Sequence, residues 1–455
     1  MSASIFPHNR RMRALAARLM WAVLGCTVFG IAARAATAGP EPSAQAARSI
    51  IVALADKPEP IATAGSTPRG YDGLPNYTGG SRAVSTAAEL ARDYALQEIS
   101  AWTIEPLRLR CMLYEIPATA DRDQLLARLR ADRRVRLAQP QQYFETLSAA
   151  DHTNARHGVR PAAAPGTYND PYIGLQSGFA AIKAGLVQRW ADGSGVRIAL
   201  IDAGVDAGHP DLQGRIAEQR DFVANAATPV GAERHGTEVA GVIAAVANNG
   251  IGIVGIAPGA RVLAYRACWA LRAGEDPARC DTFTVAQALG AAITANARII
   301  NLSLGGPSDP LLEQLTDYAV KHGAIVVGAV PPDGRMDGFP VDVPGVIAVV
   351  STGDPRPNAA VLVAPGNQVL TLEPDGHYDY ASGSSLAAAH VSGAVALLLQ
   401  IDPGLDARGV HALLSRSQHS ADVPIDVCAA AESLRHRDSE CGEIPAAARL
   451  GRAMH

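Results

Sequence analysis

Three side chains of different chemical types point to acyl transfer. Ser385 lies near the start of the small-residue run 383–393, where a helix start would place its hydroxyl beside the free backbone N–H groups of the first turn. His235 precedes a segment with apolar residues at helical spacing, and Asp202 closes an otherwise apolar run. A hydroxyl nucleophile, an imidazole that takes its proton and a carboxylate that orients the imidazole form a complete acyl-transfer set. Each residue alone also fits a cap, turn or packing position, so the hypothesis depends on the combination.

The elements that must position these residues alternate along the chain after residue 170. Strand-like runs cover 195–202, 262–266, 298–303, 324–330 and 346–351, and helical patterns cover 180–190, 285–296 and 310–322. This alternation predicts an α/β fold with a doubly wound, mainly parallel sheet and helices on both faces. Functional residues of such a sheet cluster at the carboxyl ends of its strands, which is where Asp202 lies.

Three segments resemble the Asp, His and Ser blocks of the subtilisin-like serine proteases, the subtilases. They read IALIDAGVDAGHPDL (198–212), HGTEVAGVIAA (235–245) and SGSSLAAAHVSGAVALLL (382–399). Their order along the chain is that of the family, and the likeness runs from about residue 170 to residue 434. The resemblance implies a serine endopeptidase that hydrolyses peptides or proteins through Asp202, His235 and Ser385 by way of an acyl-enzyme.

The resemblance also implies which residues bind the substrate. Ser303, Leu304 and Gly305 should form the extended edge that pairs with the substrate backbone as an added strand. The backbone N–H of Ser385 should donate to the oxyanion that forms during the reaction.

The sequence departs from the family at the second oxyanion donor. The family has an Asn side chain there, and an alignment without gaps places Pro332 at that position, where proline has no N–H to donate. The loss of this donor costs subtilisin about 10²- to 10³-fold in turnover. Three explanations stay open: a protonated Asp333 donates, a loop around Arg335 or Asn358 supplies the donor, or the enzyme is slow or silent.

By the same resemblance, a structural calcium ion would be held by the side chains of Asp211 and Asn249 and by the backbone carbonyls of Ala247, Ile251 and Ile253. Carboxylate, amide and carbonyl oxygens are the ligands that calcium prefers. The alternative is a turn stabilised by Asn and Asp side chains, without a metal. No cofactor is expected for the chemistry itself.

A different pattern precedes the catalytic domain, over residues 39–147. Strand-like runs (49–55, 99–104, 109–116, 135–144) and helical runs (86–96, 121–130) follow in the order βαββαβ. This order predicts a small α+β split sheet backed by two helices. The segment resembles the family's propeptide, which is a chaperone and inhibitor until autocleavage.

Residues 148–166 lack periodicity and predict an exposed linker, where proteolytic nicking is expected. The predicted catalytic domain spans 167–434, and a tail follows at 435–455.

The first 38 residues have the layout of a secretory signal peptide. Four arginines between residues 10 and 18 precede an apolar run and a small-residue end at 36–38. The apolar run is shorter than the ~20 residues that span a bilayer, so export without a stable membrane span is favoured over an anchor. Cys26 leaves a lipoprotein signal open, although the apolar run continues past it, and Arg10-Arg11 leaves a twin-arginine signal open.

Six cysteines are present, one of them within the predicted signal peptide. In an exported protein the neighbouring pairs Cys268/Cys280 and Cys428/Cys441 favour disulfides, with free thiols as the alternative. Cys111 is left over, and no CxxC spacing indicates zinc.

Composition narrows the partners. The chain has 455 residues, 48% of them hydrophobic and 18% charged, which is enough to bury a large core. A net charge of -4 and an aromatic content of 5% argue against nucleic acid. We expect a monomer whose partners are its substrate and its own propeptide.

Two rival functions remain. A catalytically silent subtilase would use the same cleft as a binding or scaffold protein. An esterase of the α/β-hydrolase type would need GxSxG and the chain order Ser, Asp, His, whereas residues 383–387 read GSSLA and the order here is Asp, His, Ser.

Overall fold

The structure is a computed structural model that describes residues 48–56, 80–148, 168–223, 228–272, 277–418, 420, 422–435 and 441. The predicted signal peptide (1–38) lies outside the described residues. So do the predicted linker except for Ser148 and the predicted tail except for Arg435 and Cys441. These three assignments therefore stay predictions.

The N-terminal lobe, residues 48–148, is a four-stranded antiparallel sheet backed by two helices. Its elements are β1 (Ser49–Ala55), α1 (Ser81–Asp93), β2 (Gln97–Ile104), β3 (Leu109–Glu115), α2 (Arg122–Ala131), β4 (Val135–Pro140) and β5 (Tyr143–Thr146). The sheet order is β2-β3-β1-β4, with β5 outside it. The α+β split sheet predicted for this part of the chain is confirmed.

Alternation along β1 gives this sheet two apolar faces. Ile50, Val52 and Leu54 pack in the core that the sheet shares with α1 and α2. Ile51 and Ala53 point to the opposite face and belong to the core of the main lobe, residues 168–441. The N-terminal lobe is therefore packed against the main lobe through a continuous hydrophobic core.

A seven-stranded parallel sheet forms the centre of the main lobe. In spatial order its strands are β15 (Leu362–Ala364), β14 (Ile347–Ser351), β13 (Ile325–Ala329), β11 (Ile299–Leu302), β6 (Arg197–Asp202), β8 (Arg261–Arg266) and β7 (Ile216–Asp221). The strands are almost wholly buried except β7, as expected when helices cover both faces of a parallel sheet. The predicted doubly wound fold is confirmed.

The remaining elements are short strands and the helices that cover the sheet. The strands are β9 (Cys268–Trp269), β10 (Arg279–Asp281), β12 (Leu304–Gly305), β16 (Val369–Glu373) and β17 (His377–Ala381). The helices are α3 (Ser177–Ala181), α4 (Ala184–Val187), α5 (His235–Ala244), α6 (Thr282–Thr294), α7 (Pro310–Lys321), α8 (Ser384–Ile401), α9 (Ala407–Ser417) and α10 (Val427–Arg435). Short 3-10 turns lie at Glu105–Leu107, Ile173–Leu175, Pro210–Leu212, Val230–Ala232 and Pro374–Gly376.

Helices cover the two faces of the sheet unequally. On one face α5 and α8 pack side by side in the largest core. On the other face α6 and α7 pack against the sheet from one side and against the N-terminal lobe from the other. Asp281 caps α6 and Asp309 caps α7 through their side chains, which explains where both helices begin.

Several sequence expectations were wrong in their boundaries. The helix expected over 86–96 is Ser81–Asp93, which begins five residues earlier. The helix expected over 180–190 is two short helices, because Lys183 between them adopts a left-handed backbone (φ 56°). The strand expected over 135–144 ends at Pro140, and β5 joins a different sheet in the order β12-β5-β10-β9. Alternation of side chains does not reveal which sheet a strand joins.

Two cysteine pairs lie at disulfide distance, Cys268 with Cys280 and Cys428 with Cys441. Cys111 is free and buried between the lobes. The one cluster of metal-ligand types found in the described ranges contains Cys428 and Cys441, which are bonded to each other and so offer no thiolate.

Within the part of the chain that the structure describes, one helix, α8, is long and apolar enough to cross a membrane. It is 89% buried and lies in the largest core. These features are those of a core helix that carries Ser385 near its start.

Substitution by alanine is expected to change stability in opposite directions at two helical glycines. A Cβ on Gly393 of α8 would lie 2.5 Å from Cβ of Ile256, whereas a Cβ on Gly290 of α6 would meet nothing within 4 Å. We expect Gly393→Ala to destabilise the protein by about 1–3 kcal/mol through overpacking. Gly290→Ala should stabilise it by about 1 kcal/mol through helix propensity. Denaturant unfolding in a Ser385→Ala background, which avoids self-digestion, measures both; equal effects would contradict the packing.

Candidate active site

Asp202 and His235 are joined at the carboxyl end of β6, an inner strand of the seven-stranded sheet. Asp202 is the last residue of β6, and His235 is the first residue of α5; both are buried. His235 Nδ1 lies 2.6 Å from Oδ1 of Asp202, and the backbone N–H of Ala203 donates to the same oxygen at 2.6 Å. The carboxylate therefore holds the ring in one orientation, with Nε2 as the nitrogen available for proton transfer.

Ser385 is the second residue of α8, and its side chain is almost completely buried. Its Oγ makes no hydrogen bond to any residue that the structure describes. Gly383 precedes the helix with φ of 152°, a conformation open to glycine, and its N–H donates to the carbonyl of Gly366 at 2.7 Å. The nucleophile thus stands at a helix start held by a glycine turn.

A buried polar network supports the backbone behind Ser385. Ser303 Oγ donates to the Ser385 carbonyl at 3.0 Å and accepts from the Asn301 side chain at 2.8 Å. Ser392 Oγ donates to Oδ1 of Asn301 at 2.7 Å. These bonds tie β11 to α8, so the edge at Ser303 and the nucleophile are positioned together.

The cleft contains a strand of the protein itself. β5 pairs antiparallel with β12 on one side and with β10 on the other. Beyond β5, the Leu147 N–H donates to the Ser303 carbonyl at 3.1 Å, and Thr146 N–H donates to the Ala278 carbonyl at 2.9 Å. The edge formed by Ser303, Leu304 and Gly305 therefore pairs with an added strand, the geometry that we expected for a substrate.

Leu147 brings its carbonyl group to the nucleophile. The backbone N–H of Ser385 donates to the Leu147 carbonyl oxygen at 3.3 Å. A Cβ on Gly383 would collide with the same oxygen and would lie 2.8 Å from Cα of Ser148. The peptide bond between Leu147 and Ser148 is thus seated across the start of α8.

Two side chains of the strand make apolar contacts. Leu147 packs against the largest core and lines a cavity of about 460 Å³ whose walls also include the charged residues Arg279 and Arg335. Phe144 is buried, with its ring 5.7 Å from that of Phe339 in an edge-to-face arrangement. Thr146 is also buried, whereas Glu145 is exposed.

Pro332 lies in a turn, and the turn explains its residue type. The Gly334 N–H donates to the Pro331 carbonyl at 2.9 Å, which places Pro332 at the second position of a β-turn, where proline is favoured. Asp333 is exposed and accepts from the backbone N–H of Arg335 at 3.1 Å, with Nε of Arg335 3.4 Å away.

The candidate oxyanion donors do not converge on the cleft carbonyl. Asp333 acts as an acceptor toward Arg335, and Asn358 is exposed. Among the described residues, the Ser385 N–H is the one donor to the Leu147 oxygen. An oxyanion that formed there would receive one fewer hydrogen bond than the resemblance implies.

His390, five residues after Ser385, belongs to the core. It is buried, its Nδ1 lies 2.8 Å from the Leu386 carbonyl, and burial lowers the pKa of its ring to about 4. His390 is therefore a neutral histidine of the core, and it is separate from the pair formed by His235 and Asp202.

The residues of the expected calcium site come together from two segments. Asp211 lies on the 3-10 turn Pro210–Leu212, and it accepts from the Asn249 side chain at 2.7 Å and from the Ile253 N–H at 2.9 Å; Ala247 and Ile251 belong to the same loop as Asn249. Burial raises the pKa of the Asp211 carboxyl.

Asp170 is a second buried carboxylate beside this loop, and it accepts from Asn248 N–H at 2.8 Å. Within the part of the chain that the structure describes, neither Asp170 nor Asp211 forms an ion pair with a Lys or Arg side chain. Two buried carboxylates without a Lys or Arg partner fit a divalent cation in ligand type, and the N–H groups that donate to them also fit a turn stabilised by Asn and Asp side chains.

Comparison with known proteins places the chain among proteases. The "Subtilase family" profile matches residues 193–439, just over half of the chain. Thermitase from Thermoactinomyces vulgaris is 37% identical over 246 residues, which are 51% of this chain and 85% of thermitase. Subtilisin E from Bacillus subtilis (strain 168) is 34% identical over 226 residues, which are 46% of this chain and 57% of subtilisin E.

A solved structure extends the likeness to the fold. The crystal structure of fervidolysin from Fervidobacterium pennivorans, a keratinolytic enzyme related to subtilisin, aligns with a TM-score of 0.66 at 22% identity. The alignment covers 85% of this chain and 61% of that chain.

Fold and relatives together define a serine endopeptidase of the α/β type. The chain belongs to the subtilase family.

Two features of the site were missed from sequence. Leu147 was not expected in the cleft, although the end of the patterned segment at residue 147 was a signal. Glu233, a buried acid two residues before His235, also passed unnoticed because spacing does not show burial.

Gly383→Ala tests the seating of the cleft carbonyl. The new Cβ would displace that oxygen from the Ser385 N–H, so we expect turnover of a peptide substrate to fall about 100-fold or more. Gly174→Ala, where a Cβ would meet nothing within 4 Å, is the matched control and should keep wild-type turnover. Unchanged turnover in Gly383→Ala would contradict this placement of the substrate.

Proposed function

We propose that the protein is an exported serine endopeptidase made as a zymogen, which cuts its own chain between Leu147 and Ser148. The N-terminal lobe is then its propeptide. The observation that carries the proposal is the 3.3 Å hydrogen bond from the Ser385 N–H to the Leu147 carbonyl, at the end of a strand paired like a substrate.

The chemistry follows from the residue types. His235 takes the proton of Ser385 through Nε2, and Asp202 stabilises the imidazolium that forms. Ser385 Oγ attacks the carbonyl carbon, and the negative charge on its oxygen is stabilised by the Ser385 N–H. The leaving amine takes the proton from His235, and water then hydrolyses the acyl-enzyme by the same route in reverse.

Contacts outside the cleft support the propeptide role. The Gln139 side chain donates to Asp309 at 2.8 Å and accepts from Leu311 N–H at 3.1 Å; the Gln141 side chain donates to Asp281 at 2.6 Å. The N-terminal lobe therefore forms hydrogen bonds with both aspartates that cap α6 and α7. Burial raises the pKa of Asp281 and of Asp309, so each carboxylate depends on these donors. Such an interface suits an inhibitor that stays bound after cleavage.

Export rests on the layout of residues 1–38 and on two disulfide-distance cysteine pairs, which persist in oxidising compartments. The substrate is a peptide or protein bound as an added strand. The single oxyanion donor favours slower turnover than a two-donor site would give.

Self-cleavage is tested by expressing the wild type and Ser385→Ala side by side. We expect wild-type protein whose N-terminus is Ser148 and an intact Ser385→Ala chain, because the nucleophile makes the cut. Amino-terminal sequencing and intact-mass measurement read this directly. Fluorophosphonate should label the wild type at Ser385 and leave the variant unlabelled.

The contrary outcomes are distinct. Identical processing of both proteins would show that another protease makes the cut. An intact, unlabelled wild type would favour the silent subtilase, whose supporting observation is the lack of a second oxyanion donor where Pro332 stands. Leu147→Asp is a further control: a charged residue in place of a side chain that packs against the hydrophobic core should slow processing.

We further propose a structural calcium ion held by Asp211, Asn249 and the carbonyls of Ala247, Ile251 and Ile253. Asp170 is a buried carboxylate that contacts the same loop through the Asn248 N–H. The ion would neutralise buried charge and stiffen the loop, and it has no part in the chemistry.

Removal of calcium tests this site. We expect EGTA to lower the unfolding temperature of Ser385→Ala protein by several degrees, since calcium at 100 times its Kd stabilises by about 2.7 kcal/mol. Asp211→Asn should abolish the response, whereas Asp379→Asn, an exposed acid on β17, should keep it. An unfolding temperature that calcium does not change would remove the proposal.

A further inference from the structure

A buried ion pair joins the two loops that carry Asp202 and His235. Glu233 lies two residues before His235, and its side chain reaches the backbone N–H of Gly204, two residues after Asp202, at 2.6 Å. Glu233 is 1% exposed. One carboxylate therefore spans the segments whose separation determines the distance between His235 and Asp202.

Four N–H groups satisfy the Glu233 carboxylate. Besides Gly204, Arg266 donates through Nε at 3.0 Å and through a terminal nitrogen at 2.5 Å, and Ala270 N–H donates at 3.3 Å. The two bonds from Arg266 form a planar fork, the most directional way to hold a carboxylate.

Arg266 is itself fixed beside Asp202. It ends β8, and it is the register partner of Asp202 across the sheet; the N–H of the next residue, Ala267, donates to the Asp202 carbonyl at 2.8 Å. Its remaining donors reach Asp221 at 3.0 Å and the Thr228 carbonyl at 2.9 Å. The guanidinium therefore connects the strand end at Asp202 to the loop that leads into His235.

The segment after Asp202 and the segment before His235 are in close backbone contact. A Cβ on Gly204 would collide with the Val230 carbonyl oxygen, and a Cβ on Gly236 would lie 2.5 Å from the carbonyl oxygens of Ala203 and Gly204. Thr237 Oγ1 donates to the Glu233 carbonyl at 3.0 Å. A shift of Glu233 would thus be passed to the first turn of α5.

We infer that Glu233 and Arg266 are positioning residues for proton transfer, which set His235 Nδ1 against Asp202 Oδ1. This inference rests on the proposed function, because the contact between His235 and Asp202 serves proton transfer only if these residues carry out the hydrolysis. Among the residues that the structure describes, Glu233 and Arg266 make no hydrogen bond or ion pair with the substrate strand β5; each acts through the separation of the two loops.

A contribution to stability is a weak explanation for the buried ion pair of Glu233 and Arg266. Replacing a buried ion pair by apolar residues of similar volume is often neutral or stabilising. A misplacement of about 1 Å in a catalytic group, in contrast, costs about 100-fold in rate. The geometry of the fork, rather than its charge, is what a positioning role requires.

The test separates length from charge. Glu233→Asp keeps the charge and is one methylene shorter, and Arg266→Lys keeps the charge and loses the fork. Lys183→Met is the matched control, because it removes the ion pair of Lys183 with Asp426, which touches neither loop. Each full-length variant is assayed for kcat and KM on a chromogenic peptide.

A second readout needs no activity. In full-length Ser385→Ala protein, the low-field proton resonance of His235 Nδ1–H reports its hydrogen bond to Asp202. It is recorded for the parent and for the same three substitutions, together with the unfolding temperature of each.

We expect Glu233→Asp and Arg266→Lys to lower kcat by about 100-fold with KM nearly unchanged, and to shift or broaden the low-field resonance. Lys183→Met should leave kcat and the resonance at their wild-type values. Variants that unfold at lower temperature yet keep both values would overturn the inference.

The two readouts also separate this inference from the proposed function. If the wild type turns over no peptide, the resonance still decides: a shift in the Arg266→Lys spectrum supports the positioning role, and an unshifted spectrum overturns it. If one variant fails to fold, the other carries the test.

Discussion

The hydrogen bond of 2.6 Å between His235 Nδ1 and Asp202 Oδ1 joins the carboxyl end of β6 to the first turn of α5. A buried carboxylate is tolerated there because Ala203 N–H and the imidazole satisfy one of its oxygens. The parallel sheet provides this arrangement, since it delivers strand ends and helix starts to one edge. The start of α8, with Ser385, is tied to the carboxyl end of β11 at that edge by the hydrogen bond from Ser303.

The N-terminal lobe extends this active edge. One face of its sheet packs in its own core and the other against α6 and α7, so the lobe is held by apolar area over a broad surface. This packing holds β5 between β12 and β10 and places Leu147 next to Ser385. The position of the substrate strand therefore depends on contacts of the lobe that lie away from the catalytic residues. Because Pro332 stands where the family has an Asn donor, the Leu147 carbonyl receives one backbone N–H, that of Ser385.

Much of the architecture could be predicted from the residues. Apolar runs of strand length alternating with helical patterns led to the parallel sheet, because burial on both faces requires such runs. The split sheet followed from the same periodicity. The predicted strand over 135–144 was wrong at its end, since a period of two residues indicates which face a side chain takes and leaves the partner strand undetermined.

The sequence by itself determined the local elements and the chemical types at Asp202, His235 and Ser385, because spacing and residue type are properties of the chain alone. Only the tertiary structure decided what those residues meet. The seating of Leu147 at Ser385 and the bridge from Glu233 to Gly204 and Arg266 join segments far apart in the chain, and such contacts exist only after the chain has packed. Burial turns Glu233 from an ordinary surface type into a fixed link within the core.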